Sequence, residues 1–222
     1  TAALRSFSRA VQLDPSALRL YSYTQSGAIH VIMGAQAKAL EAYTAALTVQ
    51  RDYPPALLGY ANAALRSASA SVAVGAPGEA AEALYVAAAA AAHCVAMHPT
   101  LVPGWKLLGD VLIAHTRVTP RSNLTRQPLL ESLSLPPSPV LEQWEKHDME
   151  SAAMPAETKE AFSRWERRLK AIRGGRVAYA RACHLAPWEA NGWVDTTAAL
   201  VGEAAMRRTH QHFMKAAPPS RA

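Results

Sequence analysis

Two sets of aromatic and small residues run through this chain in step, and their spacing is the strongest constraint it carries. One set pairs a large residue with small or apolar ones at three- and four-residue intervals: Tyr23 and Gly27; Leu57, Tyr60, Ala61 and Ala64; Trp105, Leu108, Gly109 and Leu112; Trp193 and Leu200. The other alternates with it: Ala3, Phe7 and Ala10; Ala39, Tyr43 and Ala46; Ala87, Ala91 and Cys94; Gly175, Tyr179 and Ala182; Thr209, Phe213 and Ala216. Such intervals place each group on one face of a helix. In the first set, 34 residues separate Tyr23 from Leu57, 48 separate Leu57 from Trp105, and 88 separate Trp105 from Trp193. The second set repeats these steps, with 48 from Ala46 to Cys94, 88 from Cys94 to Ala182, and 34 from Ala182 to Ala216. Because both sets carry the same excess, each addition lies between the two helices of one unit. The stacking of units is not interrupted.

The period and residue types match the tetratricopeptide pattern, W-x2-L-G-x2-Y on a first helix and A-x3-F on a second, closed by proline, every 34 residues. Pro15, Pro99 and Pro187 supply the closing prolines. The expectation is an all-α chain, a tetratricopeptide-repeat α-α superhelix with two insertions inside its hairpins. Residues 1–15 form the second helix of a truncated repeat, and 18–53 form a repeat. A repeat with a lengthened hairpin follows over 54–99, then one over 100–187 with a long insertion at about 116–170, and a last repeat over 188–217. Small residues let the helices of a hairpin approach, and large ones fill the space between hairpins. Packing roles fall to Ala3, Phe7, Ala10, Gly27, Ala39, Tyr43, Ala46, Trp105, Leu108, Gly109, Leu112, Tyr179, Ala182, Trp193, Phe213 and Ala216. A mid-helix glycine costs roughly 1 kcal/mol of helix propensity relative to alanine, so Gly109 needs close packing to offset it.

The two additions differ in kind. The 14 residues from Arg66 to Glu79 continue in alanine and serine around "GAPG" at 75–78, which predicts longer helices joined by a turn. The stretch 116–140 has five prolines and little periodicity and reads as an irregular excursion. It then turns helical, with Phe162, Trp165, Leu169 and Ile172 on one stripe after Pro155.

Composition sets further bounds. With 222 residues, half of them hydrophobic and 18% charged, the chain can bury a substantial core. It opens on Thr1 without a signal-like series, and the expectation is a piece of something longer. The most apolar run, Val86 to Met97, is interrupted by His93 and is shorter than the roughly 20 residues of a membrane helix. No membrane span is expected. Cys94 and Cys183 sit inside helical apolar patterns, as buried free thiols do, which indicates an intracellular compartment.

"RDYPPALLGYANAAL" at 51–65, "GWKLLGDVL" at 104–112 and "GGRVAYARACHLAP" at 174–187 resemble the large tetratricopeptide-repeat scaffold subunit of the Ski (superkiller) complex. The order and approximate spacing of these motifs agree across residues 39–200. In the excursion and the alanine-rich hairpin the resemblance is one of position only. It implies a non-catalytic scaffold, cytoplasmic and also nuclear, that holds a superfamily 2 RNA helicase and a WD40 propeller protein and serves exosome-dependent 3′-to-5′ mRNA decay. The residues themselves reach only to an extended surface that binds polypeptide. A substrate-recruiting repeat domain of a larger enzyme, such as a glycosyltransferase, is the alternative.

No catalytic, cofactor-binding or metal site is expected. His93, Cys94 and His98, or His210 with His212, lack the paired ligands of a zinc site, and no nucleophile-elbow, P-loop or H-E-x-x-H sequence occurs. No small-molecule substrate is indicated. The net charge of +6 and the basic residues Arg207, Arg208, Lys215 and Arg221 suit an RNA contact, a solvated face or an acidic partner. Lys106 and Asn62 are too isolated for a carboxylate clamp that grips chaperone tails. Leu129, Leu130, Trp144, Phe162 and Trp165, in the second addition, are of the types that concentrate binding energy and are the candidate partner contacts.

Overall fold

Proline and glycine set the punctuation of the fold. The computed structural model describes residues 2–13, 16–118 and 156–216, and these form eight helices. They are α1 (Ala2–Leu13), α2 (Ser16–Ile32), α3 (Gln36–Val49), α4 (Pro54–Ala73), α5 (Pro77–Met97), α6 (Val102–His115), α7 (Ala156–Leu185) and α8 (Ala190–Ala216). Helices α4, α5 and α6 each carry proline in the first two positions, where the missing N–H would have no intrahelical partner. Among the described residues there is no strand.

The turns α2–α3 and α4–α5 are built alike. Gly34 and Gly75 have φ of +75° and +76°, the left-handed region that glycine enters without steric cost. The N–H after each glycine donates to a carbonyl five residues back, Ala35 to His30 and Ala76 to Ser71, at 2.9 and 2.8 Å. The glycine N–H donates three residues back, Gly34 to Val31 and Gly75 to Val72, both at 3.1 Å. This is the Schellman arrangement, which satisfies carbonyls that a helix end leaves open. Nothing lies within 4 Å of a side chain built on either glycine, so conformation alone requires it. The 14-residue addition is thus helix on both sides of a tight turn. The helices α4 and α5 have 20 and 21 residues, against 17 and 14 in α2 and α3.

Each helix packs on its chain neighbour, and α2, α4 and α6 also touch in succession, which makes an α solenoid of the tetratricopeptide-repeat type. The interior is dominated by alanine. Ala39, Ala46, Ala56, Ala61, Ala63, Ala80, Ala87 and Ala91 are all fully buried, which brings helix axes close together. Larger residues, Leu84, Leu108, Val111 and Leu112, fill the layer where α4, α5 and α6 meet. Helix α5 corrects the expectation drawn from the run Val86–Met97. Continuous from Pro77 to Met97, it is the described helix long and apolar enough, by length and composition, to cross a bilayer. Its Ala80, Leu84, Ala87, Ala88, Ala91 and Cys94 are buried in the solenoid core.

The last unit also differs from expectation. A helix-turn-helix was expected over 188–217, with a turn between Leu200 and Thr209, but α8 runs unbroken from Ala190 to Ala216. The intervening "VGEAAMRRTH" offers one glycine and no proline among strong helix formers, and neither turn glycine with positive φ recurs there. Helix α7 is likewise continuous over 30 residues, so the stripe from the second addition and the second helix of its unit are one helix.

Candidate functional site

The hairpins close by seating a tyrosine of the second helix on a glycine of the first. A Cβ at Gly27 would stand 2.8 Å from the Tyr43 ring. One at Gly109 would stand 2.9 Å from Cζ of Tyr179 and closer still to its edge. In the hairpin between them, the same two positions hold Ala61 and Ala91, both fully buried in one cluster. Gly59 of α4 bears on Tyr43 from the other side, so the ring is gripped between hairpins. The sequence patterns did not single out Gly59, because it precedes the aromatic of its motif instead of following it.

The 88-residue translation is visible atom by atom. The indole N–H of Trp105 donates to the carbonyl of Pro99 at 2.8 Å, and that of Trp193 to Pro187 at 2.9 Å. Each tryptophan ties its helix to the proline that closes the preceding helix. Gly104 abuts Val95, and Gly192 abuts Cys183, at 3.1 and 3.0 Å from a built Cβ. Cys183 therefore occupies the packing place of a valine. Cys94 is fully buried, and burial pushes its thiol pKa up, which disfavours the reactive thiolate.

A polar seam crosses α6, α7 and α8. Lys106 reaches Asp195 of α8 at 3.0 Å and Asp110, one turn along α6, at 3.5 Å. The Tyr179 hydroxyl donates to Asp110 at 2.8 Å, and the Lys106 ammonium stands 5.9 Å from the Tyr179 ring centre. Burial works against the Lys106 charge, but the hydrogen bond to Asp195 and the Asp110 charge outweigh it, and its pKa is raised. Burial, then the Asp110 hydrogen bond, drive the Tyr179 phenol far above its ordinary 10.0. The tyrosine acts as a neutral donor. This seam links α6, α7 and α8, and it occupies Lys106, the residue considered for a carboxylate clamp.

Two of the histidines considered for metal binding, His93 and His98, have protein partners, and the side chains of His210 and His212 lie outside the described set. His93 Nε2 meets Asp52 Oδ1 at 2.7 Å and His98 Nε2 meets the Asp52 carbonyl at 3.0 Å, so the loop before α4 is held by the last turns of α5 and the residue that caps it. Among the described residues no three His, Cys, Asp or Glu side chains gather as metal ligands.

The sequence-derived packing residues fall as follows. Gly27, Ala39, Tyr43, Ala46, Leu108, Gly109, Leu112, Tyr179 and Ala182 are buried, and Trp105 is half-buried. Phe7 is half-buried, edge-on to Tyr21 at 6.4 Å, and Ala3 is exposed, since α1 is covered on one side only. Trp193 is 53% exposed, with no second helix packed over α8 among the described residues. Ala10, Phe213 and Ala216 lie in helices whose side chains there are outside the described set. Of the candidate partner contacts, Leu129, Leu130 and Trp144 lie outside the described residues, and Phe162 is described by its backbone alone. Trp165 is half-buried and donates its indole N–H to the Met206 carbonyl at 3.2 Å, which joins α7 to α8.

Comparison with known proteins agrees with this geometry. No family model matches the chain. The chain is 31% identical over 119 residues to a protein named tetratricopeptide repeat protein 37 from Xenopus laevis, an alignment that covers 54% of this chain and 8% of that protein. The fold is of the tetratricopeptide-repeat type. Stacked repeats of this kind present an extended surface to other polypeptides.

Proposed function

We propose that the chain is a segment of the scaffold subunit of the Ski complex, where it holds an RNA helicase and a WD40 propeller protein for exosome-dependent mRNA decay in the cytoplasm. The observation that carries this reading is the order of three motifs, Asp52-Tyr53 with Pro55-Ala56-Leu57, Trp105-Lys106-Leu107, and Gly174-Gly175-Arg176, at the spacings of that scaffold. Similarity to a far longer tetratricopeptide-repeat protein supports a segment of a large scaffold. The glycine–tyrosine seats and the Lys106 seam supply rigidity, which a non-catalytic scaffold needs to fix partners relative to one another. The second addition, which leaves the repeat phase intact, is the proposed helicase contact.

Affinity capture of the full-length scaffold tests both parts. Recovery of a superfamily 2 helicase and a WD40 protein in stoichiometric amounts supports the assignment. Recovery of neither, or a glycosyltransferase domain in the same polypeptide, removes it. Replacing 119–155 by a short linker in that scaffold is expected to lower helicase recovery while circular dichroism stays unchanged.

A further inference from the structure

Three positions recur wherever one first helix follows another, and the repeat translations relate them. From α2 to α4 they hold Thr24, Ala28 and Gly59; from α4 to α6, Leu58, Asn62 and Leu107; from α6 to α8, Lys106, Asp110 and Asp195. The first two joints are uncharged and close. Gly59 bears on the Tyr43 ring, Leu107 packs against the apolar clusters that contain Ala61 and Ala64, and α4 touches both α2 and α6. The third joint carries three charges, and α8 does not approach α6 as closely as α4 does. The long Lys106 side chain spans that gap and reaches Asp195 at 3.0 Å.

This bridge can open without stranding a charge. The side chains of Lys106 and Asp195 are 39% and 31% exposed, so water and salt reach both, and an ion pair so placed adds little to stability. Asp110, one turn along α6, already stands 3.5 Å from the ammonium. On leaving Asp195, Lys106 therefore keeps a carboxylate, and Asp195 meets solvent. The other side of α8 is anchored differently. The Glu203 side chain, 7% exposed, is held by Arg176 of α7 at 2.9 Å and by Arg207, the Trp165 indole donates to the Met206 carbonyl at 3.2 Å, and Gly202 lies against Ile172. A buried pair is screened much less than an exposed one. One side of α8 is thus fixed to α7, and the other is held by a bridge that salt weakens.

We propose that the joint between α6 and α8 is a latched hinge: the Lys106–Asp195 ion pair holds α8 to the row of first helices, and its loss lets α8 pivot on α7 while Lys106 turns to Asp110. Packed elements joined this way switch between discrete arrangements. Latched, the joint supplies the rigidity of the stack; released, it changes the angle between α8 and the helices before it. The inference rests on the helical stack and holds whatever complex the chain belongs to.

Double electron–electron resonance on the full chain tests it, with spin labels on Arg66→Cys in α4 and Val201→Cys in α8, both at exposed positions. Cys94 and Cys183 are buried and stay unlabelled. Raising NaCl from about 0.1 M to about 1 M, which shortens the screening length from about 10 Å to about 3 Å, is expected to lengthen the distance by several ångströms. Asp195→Asn, which removes the charge, is expected to show the longer distance at both concentrations, and Asp195→Glu to restore the salt response. Labels on Arg66→Cys and Arg117→Cys, across the joint from α4 to α6, are expected not to respond. An α4–α8 distance that ignores salt overturns the proposal, and because it is read with the latch unaltered it decides the matter should Asp195→Asn fail to fold. So does an Asp195→Asn protein that responds to salt as the unsubstituted latch does, or an α4–α6 distance that changes as much as the α4–α8 distance.

Discussion

Gly109→Ala isolates the contact that sets the α6–α7 distance. At an open helical site this change stabilises by about 1 kcal/mol through helix propensity. Here the new Cβ would stand 2.9 Å from Tyr179 Cζ and closer to the ring edge, inside any separation real Cβ atoms show. The ring cannot swing aside freely, because its hydroxyl is held by Asp110 at 2.8 Å and it is 5% exposed. The two backbones are also close at Gly175, where a built Cβ would stand 3.4 Å from the Gly109 carbonyl, so backing the helices apart would give up that close packing. Overpacking of this kind costs about 1–3 kcal/mol, so the net effect is a loss of roughly 0–2 kcal/mol after the propensity gain. Leucine in the same place is expected to cost more. The decisive measurement is a double-mutant cycle by urea denaturation. Tyr179→Ala alone should cost about 3–5 kcal/mol. In that background Gly109→Ala should change sign and stabilise by about 0.5–1 kcal/mol. The same cost of Gly109→Ala with and without the tyrosine ring would show that the seat does not govern the packing.

Three further outcomes follow from single sites. Gly75→Ala should cost roughly 1–2 kcal/mol in equilibrium unfolding, because φ is +76° in open space, and asparagine there should cost less. Burial lowers the His115 pKa from 6.5, partly offset by a backbone hydrogen bond to Leu84. The fold therefore favours the neutral ring, its contribution is complete above pH 6.5, and it is lost as pH falls from there through the lower pKa of the folded state. His115→Gln should flatten that part of the stability–pH curve, and an unchanged slope would exclude His115 as its source. Trp105→Phe, which removes the bond to Pro99, should cost about 1 kcal/mol in thermal or chemical unfolding. Trp193→Phe should cost less, because that ring is half in water.

What the sequence discloses about this fold depends on whether a constraint is local or mutual. Gly34 and Gly75 announce their turns because a positive φ is a property of one residue, and Pro54, Pro77 and Pro103 mark helix starts for the same reason. The glycine–tyrosine seats were partly legible, since Gly27 and Gly109 stand in phase with Tyr43 and Tyr179. Gly59 was not, because its partner Tyr43 belongs to the preceding hairpin and no spacing within its own motif points there. The continuity of α8 was misread for a related reason: Thr209, Phe213 and Ala216 match a second helix, but a match in phase does not supply a turn, and "GEAAMRR" favours helix throughout. Charge was the least legible. That Lys106 is held by Asp110 and Asp195, while Arg173 has no partner of its own, depends on which turns of α6, α7 and α8 face one another. Repeats make that difference informative. Where an 88-residue translation preserves an interaction, as from Trp105 to Trp193, the interaction belongs to the stack. Where it does not, as from the buried Leu112 to the half-exposed Leu200, the interaction depends on the helix packed against that copy of the unit.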